Sequence, residues 1–584
     1  MIHISRRELA AKAETGRVHI TPSGTLAYAE IPYSETASGS VREGTAITET
    51  LYSSASWRKA PEAVTEFAEC YSTDVCILGL GHAGASCMAE IADEGFSVIG
   101  VEKQSYEDFK TVGHEFGSIN SKLAEELGGS TGHDPAEFLN NWMLNCANAA
   151  NPSLASKFAN HGGEAVDWWY AKADEGTKAH LIFQGANEER PHIVTELGPF
   201  KFYCCSVGFD DASSVKNTAD ALEGDSRVLW NHSAYDLIKD DEGNVTGAIV
   251  QNILTGEYVR INAKAVVLAT GGFGANEEMC DDLLVDMKDA LQHNDKYRLM
   301  TKMGMDHDGT GIRLGYLAGG HIESNPATMD GRASWQTAYP ALVPMLAHPQ
   351  GIHLDYTGRR FYNEYWGPIE LRSRPLMYRN RDVFYAVYDD CLPEYMQYVP
   401  ASHGTTNPSK STLDKVRKIM NAAYSLKGSG YYDEKSQSTW YAGDTVEELL
   451  DAAGMDEKVK KNVLKSIQEW NEICHKGTDL QFGRDSHFLF PIEKGPFYLN
   501  VNENNLMMGN FLVTLGGLLV DGDQRVLGRN WMPVKGLFAT GNTTGGRFGW
   551  DYFSPAYGVS VGIATTLGRE CGKSVAEYLE DKLV

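Results

Sequence analysis

No two of the 10 cysteines stand in a C-x-x-C spacing. Zinc-ribbon, thioredoxin-like and iron–sulfur ligation therefore lack their usual ligands here. No C-x-x-C-H occurs either, which excludes covalently attached c-type haem. Scattered thiols, with one adjacent pair at Cys204 and Cys205, read as free side chains in a reducing compartment. Long apolar runs are missing as well. Nothing in the sequence reaches bilayer-spanning length, and MIHISRRELAAKAETGRVHI has no signal-peptide core. The expectation is a cytoplasmic protein without membrane insertion. Positive charge is scarce: 52 Lys and Arg stand against 78 Asp and Glu, a net charge of -26. Such a chain repels nucleic-acid phosphates and anionic lipid, so nucleic acid is excluded as a partner.

What is present is a large, ordinary globular composition, 584 residues with 42% hydrophobic. That length implies two to four domains and a core needing no disulfide or metal. Residues 1–69 are polar and rich in Gly, Ser and Thr clusters, and read as an N-terminal extension. From Asp74 the character changes. Asp74 to Leu78 reads as a buried parallel strand, Ala83 to Glu94 as a helix, and Ser97 to Val101 as a second strand. Together they form a βαβ unit. Residues 134–175 read as helices. Residues 226–268 read as a β-ribbon with a strand near Val228 and a turn at Asp241 to Asn244, followed by a separate buried strand at Ala265 to Ala269. Helices are expected near 445–475 and from Gly558 onward.

The joint of the βαβ unit is Gly79-Leu-Gly81-His82-Ala83-Gly84. Gly79 permits the tight turn, Gly81 lets backbone approach a pyrophosphate, and Gly84 lets helix and strand pack closely. The free N–H groups of the helix start favour the anion. Glu102 ends the next strand, where a carboxylate accepts hydrogen bonds from ribose hydroxyls; Lys103 follows it. Strand, helix and acidic partner together indicate dinucleotide binding. Two later strand ends choose FAD over NAD: Ala269-Thr270-Gly271, and Phe538 to Gly541-Asn542. A single-dinucleotide dehydrogenase has no use for both.

These stretches carry a resemblance. DVCILGLGHAGASC, VEKQ, VLATGGFGAN, DGTG at 308–311, GRRFYNE at 358–364, TLGGLLVD at 514–521 and GLFATGNTTGG at 536–546 look like the fumarate reductase/succinate dehydrogenase flavoprotein superfamily. Their order fits from about residue 72 onward. The resemblance implies an α/β chain: a split Rossmann-like FAD-binding domain over 70–300 and 511–584, with an inserted α+β capping domain over 301–510. It places Gly117 and Ser118 beside the flavin, Ala234 near the cofactor, and Gly558, Val559, Ser560 and Val561 at a helix start facing it. There, N–H groups would stabilise negative charge on reduced flavin; a plain helix start is the simpler role of Ser560. FAD is expected to be non-covalent, with His114 as the one nearby histidine.

The substrate side departs from the fumarate reductases. Their histidine before T-M-G-G is replaced by Leu512-Val513, and their G-A-N-R arginine by Tyr552. VPMLAHPQ before GRRF has no acidic residue. A site without these clamps should bind a dicarboxylate poorly. Tyrosine is instead similar to the 3-ketosteroid dehydrogenases, where a phenol and a glycine N–H hold a ketone. Tyr552 with Gly558, or Tyr557, are the candidates, although YFSPAYG is longer than the steroid enzymes' Y-P-G-A-G. Packing is the alternative role for both rings. Arg372, Tyr365 and Tyr339 are candidate proton donors, with Trp366 and Trp335 shaping a pocket and His348 a structural histidine.

The resemblance implies a reductase of an activated C=C bond in an enone-like or aromatic-conjugated small molecule, with hydride delivered from flavin N5. The alternatives are a 3-ketosteroid-type dehydrogenase running the reverse reaction and a flavin-binding electron carrier or sensor. A flavin disulfide reductase would need a cysteine pair near the flavin, and Cys87 has no sequence partner. The expected partners are a small-molecule substrate and an unidentified electron donor.

Overall fold

The computed structural model describes residues 18–20, 26–28, 55–184, 193–194, 196–197, 200–284, 307–324, 326, 328–330, 351–364, 385–400, 410–433, 438–501, 511–550 and 552–582. It divides into two compact units, Met1–Ala63 and Val64–Val584. In the first, Val18–Ile20 pairs antiparallel with Leu26–Tyr28. Near its end Trp57 is buried, with the Arg58 guanidinium over its ring.

The second unit is built on an eight-stranded sheet. Its first strand, β1 (Glu69–Leu78), runs into α1 (His82–Asp93) and returns as β2 (Val98–Glu102). Helix α2 (Pro152–Ala171) follows, its first turn satisfied by the Asn151 side chain accepting from Ser153 N–H and by Pro152 at a position that needs no donor. Then come β3 (Arg227–Trp230), β4 (His232–Lys239), β5 (Val245–Asn252) and β6 (Tyr258–Leu268). Much later come β7 (Arg525–Leu527), β8 (Pro533–Ala539) and the long helix α3 (Val559–Leu579).

The spatial order is β3-β2-β1-β6-β5-β4, with β8 also on β6 and β7 on β8. Strands β3, β2, β1, β6 and β8 are parallel to one another. Val75 to Leu78 are wholly buried, as expected where both faces of a parallel sheet are covered. Two sequence expectations are corrected. The Val228 strand is no part of the ribbon: it pairs parallel with β2, through Val228 and Gly100. The ribbon's last arm, expected at Glu257–Ile261, and the buried strand at Ala265 are one strand, in which Val259, Ile261, Ala263 and Ala265 keep a period of two.

Strand β6 uses its length to serve three neighbours. Its whole length pairs with β1, Gly247–Gln251 of β5 pairs with its first half, and Leu537–Ala539 pairs with its last three residues. The split of the sheet across the sequence is thus visible in the register. Helix α3 then lies against α1 at glycine distance. A Cβ on Gly568 would stand 2.2 Å from Ala83 O, and one on Gly562 would stand 2.1 Å from Gly117 O.

The interruption carries a second, antiparallel sheet. Its five strands run Ile352–Leu354, Tyr385–Tyr388, Phe497–Val501, Ser438–Gly443 and Tyr431–Asp433 in spatial order. Alternation sorts the faces. Ala386, Tyr388, Trp440 and Tyr498 join Val416 and Met420 of helix Lys410–Ser425. Val387 and Leu499 join Leu449 of Val446–Ala452, together with Val463 and Trp470 of Glu457–Lys476. At the margin, Arg360 makes a two-point pair with Glu364 (2.8 and 2.7 Å) and a third bond to Asp479 (2.8 Å), stacked over Trp470. Among the described residues, no helix is long and apolar enough to cross a membrane.

Candidate functional site

The carboxyl ends of the parallel strands converge on one cavity of about 420 Å³, the usual ligand position in an open α/β sheet. Beyond β1, Gly79 takes a left-handed backbone (φ 95°) because Ala269 O and Thr270 crowd the space a side chain would need. Gly84 is required for a second reason: its Cβ would stand 1.9 Å from Gly79 O. Gly81 differs from both. A Cβ there meets no atom within 4 Å, so its open side faces the cavity it lines.

Helix α1 starts at Gly81 and α3 at Gly558, and neither start has a side-chain cap. Both starts line the cavity, through Gly81, His82 and Ala83 and through Gly558, Ser560 and Val561. Two uncapped helix starts facing one chamber make a site for negative charge. Buried Glu102 accepts from Leu80 N–H (3.0 Å) on one oxygen and from Gln104 N–H (2.9 Å) on the other. A carboxylate oxygen has a further lone pair, and this one lines the cavity too.

The remaining walls come from distant chain. Gly311 N–H donates to Thr270 Oγ1 (2.7 Å), and Gly271 N–H to Thr543 Oγ1 (3.1 Å). These bonds hold the β6 end against the 308–311 turn and the β8 end. Lys103, Ala234, Ala269, Thr270, Gly271, Gly541 and Asn542 all line the chamber. Gly84, Gly117, Ser118 and Val559 do not; they stand behind it. Gly117 packs against Tyr557 O, Ser118 and Val559 are buried, and the Ser118 hydroxyl finds no hydrogen-bond partner among the described residues.

Two of the positions at which this sequence departs from the fumarate reductase pattern reach the wall: Val513 and Tyr552. Tyr552 is 1% exposed, with its ring 4.8 Å from Phe548. Burial raises its phenol pKa well above the ordinary range, although the Ser554 hydroxyl, the Ser560 N–H and the Arg547 charge favour the phenolate. Burial thus favours the neutral phenol, the form that can donate a hydrogen bond. Tyr557 lies elsewhere: its ring packs edge-on to Phe202 at 5.2 Å, and its carbonyl accepts from Ser206 (2.7 Å). Arg372, Tyr365 and Tyr339, like Trp366, Trp335 and His348, lie outside the described residues.

Three parts of the site were not expected. The 110–113 loop lines the chamber, as do His232 and His307. Arg547 is completely buried, donating to Leu515 O (3.0 Å) and lying over Phe548, the ring that also contacts Tyr552. Asp211, with no exposure, pairs with His82 at 2.9 Å. An arginine between glycines and an aromatic was the one available signal for Arg547. Asp211 had none, since its partner is 129 residues away.

Residues 74–559 match the FAD binding domain family. The chain belongs to that family. It is an FAD-dependent oxidoreductase. It is 25% identical to vinyl phenol reductase of Lactiplantibacillus plantarum, across 88% of this chain and 98% of that protein. It is 23% identical to urocanate reductase of Eggerthella lenta, across 90% and 78%. It is 22% identical to fumarate reductase (cytochrome) of Shewanella frigidimarina, across 87% and 77%. In fold it is similar to the 3-ketosteroid-delta4-(5alpha)-dehydrogenase of Rhodococcus jostii RHA1, with a TM-score of 0.60 at 19% identity, covering 89% of this chain and 99% of that one. The chamber fits FAD on its own terms: paired helix starts for anionic groups, an open glycine, and an acceptor carboxylate at the end of β2.

Proposed function

We propose that this flavoprotein reduces an activated C=C bond in an enone-like or aromatic-conjugated small molecule. The observation that carries the reading is Tyr552, a buried tyrosine that lines the chamber together with Gly558 and Ser560. Bound FAD supplies the hydride. The protein's share is to hold the cofactor, orient the substrate and move a proton. Residues 70–300 and 511–584 form the cofactor side, and 301–510 the substrate side. Gly79, Gly81 and the α1 start take the pyrophosphate, Glu102 takes a ribose, and Gly558 to Val561 face the flavin.

Tyr552 donates a hydrogen bond to the substrate oxygen, a bond that strengthens as that oxygen gains enolate-like charge. Val513 stands in the wall where the dicarboxylate reductases' pattern has a histidine, so that side of the chamber offers an apolar surface. Arg372, Tyr365 and Tyr339 are the candidates to protonate the neighbouring carbon. Similarity to vinyl phenol reductase and urocanate reductase supports conjugated substrates as a class.

The test is anaerobic re-oxidation of the reduced protein by a panel of 4-vinylphenol, cinnamate-type acids, urocanate, a 4-ene-3-ketosteroid and fumarate. Fast re-oxidation by a neutral conjugated compound, with none by fumarate, is expected. Fumarate as the best oxidant would overturn the assignment of Tyr552.

A further inference from the structure

His82 occupies the first helical position of α1, one residue beyond the open Gly81, and lines the cavity. Its ring is pinned on both sides. Nε2 stands 2.9 Å from the carbonyl oxygen of Val112, and Nδ1 stands 2.9 Å from Asp211 Oδ2. A carbonyl oxygen only accepts, so Nε2 must carry a proton. Asp211 is engaged as an acceptor elsewhere too: Thr111 Oγ1 donates to Oδ1 (2.6 Å) and Trp169 Nε1 to Oδ2 (2.8 Å). Both belong to an ionised carboxylate, which requires a proton on Nδ1 as well.

We propose that His82 is an imidazolium clamp of the cofactor chamber: it carries a proton on both ring nitrogens, ties the 110–113 loop and Asp211 to the start of α1, and sets a positive charge beside the FAD pyrophosphate. The inference rests on the reading of this chamber as the FAD site. It also assigns His82 a role that the glycine turn alone does not. Both ring nitrogens are committed to the protein, so His82 acts on the ligand through charge and through the position of the loop. It is a positioning residue.

The surroundings agree. Burial by itself would lower the His82 pKa, but the charge and hydrogen bond of Asp211 outweigh it and leave it raised. For Asp211, burial would raise the carboxyl, and His82, Thr111 and Trp169 bring it below its ordinary value. The other ionisable groups around the ring are few. Asp210 adds a weaker attraction from the same segment as Asp211 and stands 4.0 Å from His114. Lys110, His114 and Glu115 lie on the loop side, and Glu102 and Lys103 on the β2 side of the chamber. The Phe116 ring meets His82 edge-on at 5.7 Å.

A group whose folded pKa is raised stabilises the bound and closed form at low pH and loses that contribution as pH rises through the folded value. FAD affinity should therefore fall as pH rises above the ordinary imidazole range. Apoprotein titrated with FAD from pH 6 to 9.5, followed by flavin fluorescence, should show a dissociation constant rising at least tenfold over this span. His82→Gln should bind FAD at least tenfold more weakly at pH 6 and show a flat profile. Asp211→Asn should behave likewise, with its circular dichroism compared to the parent. Independently of any variant, ¹⁵N-histidine spectra of the apoprotein at pH 7 should show one imidazole with both nitrogens protonated, lost in His82→Gln. A flat wild-type profile with unchanged affinity in His82→Gln would overturn the clamp, as would a neutral His82 imidazole. Absence of FAD binding at every pH would instead strike at the reading of the chamber itself.

Discussion

The two largest sheets of the larger unit are supported by different means. The parallel sheet is apolar at its centre: Val75 to Leu78 and Ala265 to Leu268 are wholly buried, and beside it α3 meets α1 through glycine. The antiparallel sheet has apolar faces as well, but its margin buries charge. Arg360, Glu364, Asp479 and Arg484 gather around Trp470, with Arg484 Nη1 3.5 Å from Glu364 and donating to Gly351 O. The first arrangement leaves backbone N–H groups at strand and helix ends for a ligand. The second uses side-chain charge to fix loops such as 351–364 and 479–484. A parallel sheet can thus give its polar ends to a cofactor, because the strand ladder and apolar packing secure its centre.

If that contrast holds, lesions should separate by region. The largest effect is expected for Gly84→Val, which forces side-chain atoms into Gly79 O. Flavin should be absent from the purified protein, and soluble yield should fall sharply. Glu364→Gln comes next. It leaves Arg360 and Arg484 short of counter-charge in the interior, a change of about 3–5 kcal/mol. Denaturant unfolding followed by Trp fluorescence should show this loss while flavin stays bound in dilute denaturant; flavin release in parallel would dissolve the distinction between the sheets. Tyr552→Phe should leave stability and flavin content alone and slow substrate reduction by about 10²–10³-fold, comparable to the loss of one oxyanion donor. A change in flavin binding instead would make Tyr552 a packing residue.

The smallest expected effect is a graded one with pH. Burial would raise Glu364 and Asp479, but Arg360 outweighs it and holds both low. Carboxyls depressed in the folded state add stability that is present above their unfolded pKa and lost as pH falls through the folded one. The antiparallel sheet should therefore weaken on acidification below about pH 4, whereas the His82 clamp weakens on the alkaline side. Thermal melts across pH, read by Trp fluorescence and by flavin release, would show the two signals moving in opposite directions.

What the sequence disclosed follows from range. Gly79, Gly81, Gly84, Glu102, Gly271 and Gly541 were legible because a strand, a tight turn and a helix start are written in consecutive residues. Tyr552 was legible only against a family pattern. The Val228 strand was misplaced because an apolar run does not name its neighbour, and its pairing with β2 is a matter of tertiary packing. The ribbon's last arm was separated from the strand at Ala265 because the side-chain pattern does not mark where one strand ends; Asn262 and Lys264 are outward positions of one long strand. Asp211 and Val112 left no local trace, since each matters only through a ring brought to it by folding.

The three-way pairing of β6 has a consequence for how the protein is made. Gly271, just past its end, is held by Thr543, 272 residues further on, and the neighbouring place on β6 is kept for Leu537–Ala539. While the chain emerges from the ribosome, that edge stands open until the whole antiparallel insertion has been synthesised. The cofactor chamber cannot close before then. Flavin loading is then expected late in the life of the chain, and a translation arrest anywhere in the insertion should yield a nascent protein unable to retain FAD.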